Sequence, residues 1–150
     1  MRHPKPQVIR ATVVPTAAPR PTELPAVQAP IRRRLSDTRQ SVTRKIKIHH
    51  ADGVLKVYAS VGLYEDGRAG ELFLKADRMG TTISGLLDGV AICASLALQY
   101  GVPVEALVMK LKGSHFEPYG QTGDPELRYA ASILDVVARW LEIRFVRKDS

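Results

Sequence analysis

The clearest pattern in the chain is an alternation of period two. Leu55, Val57, Ala59, Val61 and Leu63 take every second position, with Lys56, Tyr58, Ser60, Gly62 and Tyr64 between them. Strand side chains point alternately to the two faces of a sheet, so this spacing predicts a half-buried strand. Thr43-Arg44-Lys45-Ile46-Lys47-Ile48 alternates in the same way, with Ile46 and Ile48 on one face and Lys45 and Lys47 on the other. Asp52-Gly53 lies between the two runs and suits a tight hairpin turn, because glycine takes positive φ without strain. Glu65-Asp66-Gly67-Arg68-Ala69-Gly70 reads as a second turn, after which Glu71-Leu72-Phe73-Leu74-Lys75-Ala76 returns antiparallel. Three strands with short links predict a meander.

After Ala76 the period becomes helical. Thr81 or Thr82 can cap a helix running to about Tyr100, with Ile83, Leu86, Leu87, Val90, Ala94, Ala97 and Leu98 on its apolar face. Gly85, Gly89, Cys93 and Ala97 recur four apart. A helical glycine costs about 1 kcal/mol relative to alanine, so this stripe predicts a neighbouring backbone packed close, from the same chain or a second copy. Gly101 and Pro103 end the helix, and a short helix follows from Pro103 to Leu111. Asp124-Pro125-Glu126 has the residue types of a helix start, and Leu127, Ala130, Leu134, Val137, Leu141 and Phe145 give the stripe of a last helix. The fold class is therefore α+β: a three-stranded antiparallel meander followed by two long helices and one short helix.

The first 30 residues break every period. Seven of the ten prolines lie at or before Pro30, which predicts a stiff, disordered arm over residues 1–31 ahead of a domain over residues 32–148. Charge is skewed likewise: residues 1–47 hold 11 Lys and Arg against 2 Asp and Glu, a balance of +9, whereas the remainder is at −2. No uninterrupted apolar run approaches the ~18 residues that cross a bilayer, and the basic start has no apolar signal region, so a cytoplasmic protein without a membrane span is expected. Cys93 is the single cysteine, which excludes an internal disulfide and a CxxC zinc site. On the small-residue stripe it reads as a packed small hydrophobe rather than a reactive thiol.

Candidate chemistry is sparse. His49 and His50 sit at a turn with no ligand at metal-motif spacing, and no nucleophile elbow, HExxH or phosphate-binding glycine loop is present. No catalytic residue and no metal ligand is nominated. Two binding candidates remain. Gly80-Thr81-Thr82 opens a helix just after Arg78, and a helix start offers free amides and the positive end of the dipole to an anion. Arg32, Arg33, Arg34, Arg39, Arg44, Lys45 and Lys47 form a basic segment that suits phosphates through counterion release. With no aromatic residue interleaved before Tyr58, base stacking is not expected of that segment. The plainer readings are an ordinary N-cap and a solvated basic linker.

Several separate words carry a resemblance. Arg32-Arg33-Arg34-Leu35-Ser36-Asp37-Thr38-Arg39-Gln40-Ser41-Val42-Thr43, Val61-Gly62-Leu63-Tyr64-Glu65-Asp66-Gly67-Arg68 and Gly70-Glu71-Leu72-Phe73 occur in order, followed by Gly80-Thr81-Thr82-Ile83-Ser84-Gly85-Leu86. Ser95-Leu96-Ala97-Leu98-Gln99-Tyr100-Gly101-Val102-Pro103, then Phe116-Glu117-Pro118 and Gly120 with Thr122-Gly123, continue the series. Over residues 32–142 the chain resembles the TSCPD domain, the C-terminal module of cobalamin-dependent (class II) ribonucleotide reductases. The resemblance implies a link to deoxyribonucleotide supply. It does not carry over catalysis, since the reductase barrel and its cysteines lie upstream in the full enzymes. It also does not carry over metal binding or thiol relay, since the family's cysteine-rich segment has no counterpart here.

Three expectations follow. The first is a stand-alone, non-catalytic module that binds a reductase chain, a nucleotide or nucleic acid. The second is a basic nucleic-acid adaptor that keeps only the fold. The third is a subunit of a split ribonucleoside-diphosphate reductase, with cobalamin supplied only by the partner chain. Self-association through Gly85 and Gly89 is compatible with each.

Overall fold

The computed structural model describes residues 12–13 and 28–147, so the arm read over residues 1–31 lies almost wholly outside the described residues. Strands β1 (Ser41–His50), β2 (Gly53–Leu63) and β3 (Ala69–Ala76) form the expected antiparallel meander. Their alternation sorts the two faces. Ile46, Val57 and Ala76 share one row, and Val61 and Leu72 face each other in another, all buried on the core side. Helix α1 (Thr82–Gln99) starts at Thr81, whose hydroxyl accepts from the amide of Ser84, and is followed by helix α2 (Val104–Leu111).

The sheet is wider than the sequence predicts. Strands β4 (Gly120–Gln121) and β5 (Tyr129–Ala130) extend it in the order β3-β2-β1-β4-β5. Two-residue strands have no period to read. The last helix is also shorter than expected. Asp124 does not cap it, because residues 122–128 form a loop, and α3 (Ile133–Leu141) begins at Ser132. The Ser132 hydroxyl accepts from the amide of Asp135 at 3.0 Å and donates to the Ser114 carbonyl at 2.7 Å. A five-residue π-helical turn, Glu142–Val146, continues α3. Ile133, Val136, Val137, Trp140 and Leu141 from α3 join the strand residues in one buried cluster. Each such large side chain contributes about 1.5–3 kcal/mol by leaving water.

Helix α1 lies along the open edge of β3. Ser95 Oγ accepts from the amide of Leu72 at 2.8 Å and donates to its carbonyl at 3.1 Å, and Gln99 Nε2 donates to the carbonyl of Gly70 at 3.1 Å. An uncovered edge would leave those backbone groups open to another strand, and the two side chains close it. The side of α1 turned inward carries Leu87, Ala91, Ala94 and Leu98.

The opposite side of α1 corrects three expectations. Cys93 is exposed rather than packed. A Cβ added at Gly85 or Gly89 would meet nothing within 4 Å, so the small-residue stripe faces outward instead of touching a backbone. And α1, with 18 residues and mean hydropathy 1.5, is by length and composition apolar enough to cross a bilayer. Its apolarity exceeds what one buried face needs, which is why the inward stripe could not be told from the outward one by period alone.

Candidate functional site

The face of the meander turned away from the core is built from the alternate positions of β1, β2 and β3. Register places Lys47 opposite Lys56, Lys45 opposite Tyr58 opposite Lys75, and Thr43 opposite Ser60 opposite Phe73. Tyr58 and Phe73 are each 43% exposed, unusual positions for aromatic side chains. They are diagonal neighbours on adjacent strands, a spacing of ~7–8 Å. Lys45 Nζ lies 5.5 Å from the Tyr58 ring centroid. Lys75 reaches Asp88 of α1 at 2.7 Å, and the hydroxyls of Thr43 and Ser60 bond each other at 2.7 Å. Among the described residues, Lys45, Lys47 and Lys56 make no ion pair with a carboxylate.

The sequence-predicted basic segment does not stay together. Arg32 donates to Gln99 Oε1 at 2.7 Å. Arg33 lies over the ring of Tyr64, whose hydroxyl donates to the Arg33 carbonyl at 2.6 Å, and Arg68 covers the same ring at 5.6 Å. Arg33, Arg34 and Arg39 line an open cavity of about 810 Å³ with Tyr64, Glu65 and Asp66. Arg39 is engaged by Glu71, and this hydrogen bond makes its guanidinium harder to deprotonate. Arg44 points to the core side, where it bonds Asp124 and, at 3.0 Å, Glu126. Only Lys45 and Lys47 of the segment reach the open face. The segment itself carries no aromatic residue, as read from the sequence, but β2 and β3 bring Tyr58 and Phe73 beside the β1 lysines. Their signal was present in the period-two pattern, which put Tyr58 on the polar face.

The second candidate, the start of α1, forms one wall of a cavity of about 630 Å³. Arg78 and Thr81 line it, with Gly80 (φ +76°) and Thr82 alongside in the chain. Asp52, Asp77 and Glu117 line the same cavity, so an anion at Arg78 would face three carboxylates. Thr81 Oγ1 is engaged by the amide of Ser84 and donates to the carbonyl of Arg78 at 3.1 Å. Among the described residues no group of three His, Cys, Asp or Glu side chains gathers to hold a metal ion.

A third surface is the outer side of α1. Leu86 is 66% exposed and Ile92 61%, with Leu96, Gly85, Gly89 and Cys93 also open to solvent. Its one charged residue, Asp88, is taken up by Lys75.

Three carboxyls are held below their ordinary pKa. Burial opposes the charge on Asp124, but the bond from Arg44 and the amide of Glu126 outweigh it. The amide and side chain of Arg68 act on Asp66, and Lys112 acts on Glu142. A carboxyl with a lowered folded pKa stabilises the fold above its unfolded value and loses that contribution as pH falls through the folded value. Denaturant melts should show stability declining below about pH 4. Asp124→Asn should flatten that acid limb and lower stability at pH 7; an unchanged limb would refute the assignment.

Comparison with known proteins adds the following. The TSCPD domain model matches residues 28–145. A vitamin B12-dependent ribonucleotide reductase of Rhodopirellula baltica is 44% identical over 137 residues, covering 91% of this chain and 13% of that protein. The reductase of the same description from Streptantibioticus cattleyicolor is 38% identical over 131 residues, covering 87% and 21%. That from Streptomyces coelicolor is 39% identical over 117 residues, covering 78% and 12%. The chain thus spans about a fifth or less of the length of these relatives. No solved structure matches.

Proposed function

The chain belongs to the TSCPD domain family, and from that premise we propose that it is a non-catalytic binding module working beside a vitamin B12-dependent ribonucleotide reductase. Its role is then in deoxyribonucleotide supply, in the cytoplasm, as a chain separate from the one that does the chemistry. The supporting observation is the outer side of α1. Leu86 and Ile92 stand 66% and 61% exposed on a face whose one charge, Asp88, is already paired. Unpartnered apolar surface of this kind marks an interaction site. In the relatives the matched segment is joined to a body several times its size, which is the natural cover for such a face.

The vitamin B12 of the relatives' names has no fitting seat among the described residues. The wider of the two cavities described above, about 810 Å³, is open and walled by Arg33, Arg34, Arg39, Glu65 and Asp66. A corrin would have to desolvate those charges, so cobalamin enters this reading only through the partner chain. Cys93, the one cysteine of this sequence, cannot by itself cycle between dithiol and disulfide, and this reading gives it no electron-relay role.

The test is co-purification with the catalytic portion of a vitamin B12-dependent reductase. Leu86→Glu and Ile92→Glu should each abolish retention while leaving the melting temperature close to that of the unaltered chain. Alkylation of Cys93 by a maleimide should slow in the complex, because the residue shares that face. If the reductase is retained equally by the Leu86→Glu/Ile92→Glu double variant, or is never retained and its turnover is unchanged by this chain, the proposal fails.

A further inference from the structure

We propose that the open face of the sheet binds single-stranded nucleic acid, with Tyr58 and Phe73 stacking bases and the unpaired Lys45, Lys47 and Lys56 meeting phosphates. This surface is distinct from the outer side of α1 and does not depend on reductase docking.

Three observations point the same way. First, Lys47 and Lys56 are directly opposed across β1 and β2. Like charges in that position destabilise a sheet, and an anion lying over them removes the penalty. Second, Tyr58 sits in register between Lys45 and Lys75, and Phe73 is its diagonal neighbour. An aromatic ring flanked by cations on a flat strand surface offers a base its π-face and the adjoining phosphate its counter-charge. Third, the acidic groups near this face are already engaged: Glu71 by Arg39 at one end, and Asp88 by Lys75 at the edge. A bound phosphate chain would therefore not meet an unpaired carboxylate on these strands.

The geometry selects single strands. Bases in a duplex have both faces covered by their neighbours, so only splayed bases can stack on Tyr58 and Phe73. It also argues against a protein occupant, because lysine is depleted from protein–protein interfaces, and four lysines surround these two rings. The Lys45 contact with the Tyr58 ring is no obstacle. An exposed cation–π contact is weaker than the stacking of a base, so Lys45 yields the ring and turns to phosphate. From Lys47 to Thr43 the face runs ~13 Å along β1, and beyond Ser41 it leads towards Arg39 and the cavity of Arg33 and Arg34.

Fluorescence anisotropy of the full chain with a labelled 12-nucleotide oligo(dT), its ribose counterpart and a duplex of equal length tests this. Either single strand should bind at least tenfold more tightly than the duplex. Tyr58→Ala and Phe73→Ala should each weaken binding about tenfold, and Tyr58→Phe should restore it to within about twofold. The double change Lys45→Gln/Lys47→Gln should reduce the slope of log affinity for the single strand against log salt by about 1.4. Circular dichroism of each variant excludes loss of fold. No binding at 50 mM salt, equal binding of duplex, or folded aromatic variants that bind like the unaltered chain would each overturn the proposal. None of those outcomes bears on reductase docking, which is read from α1.

Discussion

Replacing Arg44 with methionine should lower the unfolding free energy by about 2 kcal/mol, with little change in the denaturant slope. Arg44 leaves β1 towards the core side and bonds both Asp124 and Glu126 in the loop before β5. Methionine keeps much of the aliphatic stem and removes the charge. A fully buried pair broken on one side costs ~3–5 kcal/mol, and an exposed pair contributes ~0–1. The side chains of Arg44 and Asp124 are 27% and 22% exposed, which places this pair between the two limits, and the more open Glu126 adds little. A double-mutant cycle with Asp124→Asn should show coupling of about 1 kcal/mol or more. The result separates two roles for this arginine. Were it a phosphate contact, its loss would reduce salt-dependent ligand binding and leave stability within ~0.5 kcal/mol. That outcome would restore Arg44 to the basic stripe.

The same residue explains where sequence reading succeeds and where it stops. β1, β2, β3 and α1 were legible as elements because each is long enough for its period to repeat; in α1 the extent was legible but the inward face was not, since Leu86, expected on the apolar face, is 66% exposed. Arg44 sits on the core face by that very alternation, in phase with Ile46 and Ile48, so its removal from the basic stripe was readable in principle. Its partners were not, because they lie 80 residues away in a loop without period. Asp124-Pro125-Glu126 imitates a helix start, since an aspartate ahead of proline suits both a cap and a turn. The true start had its own signal: Ser132 and Asp135 have the spacing of a capping pair. Tyr58 was placed on a polar face by alternation, yet its meeting with Phe73, Lys45 and Lys75 depends on the register of three strands. Register comes from the turns and from Gly62, next to which the β2–β3 pairing shifts and over which the Glu71 side chain lies.

Gly120→Ala should cost about 2–3 kcal/mol, about 1 kcal/mol more than the same change at Gly123. Gly120 opens β4 and is paired with Ala130 of β5, while the adjoining Gln121 is paired with His49 of β1. A Cβ at Gly120 would overlap the carbonyl oxygen of His49 and lie 3.0 Å from its carbon, both of them backbone atoms. A flexible side chain could swing away, but a strand backbone must move as a unit. The displacement would open the two-residue ladder that joins the meander to Ala130, which is fully buried against the core. Gly123 has φ +72° and open space around its missing Cβ, so alanine there meets only the left-handed backbone penalty of about 1–2 kcal/mol. Denaturant melts of the two variants give the comparison, and hydrogen exchange at the amides of β4 and β5 locates the damage. Equal losses at the two glycines, with no extra exchange in β4, would mean that the close approach to His49 contributes nothing and that Thr122, bonded to the Leu127 carbonyl at 3.0 Å, holds the loop instead.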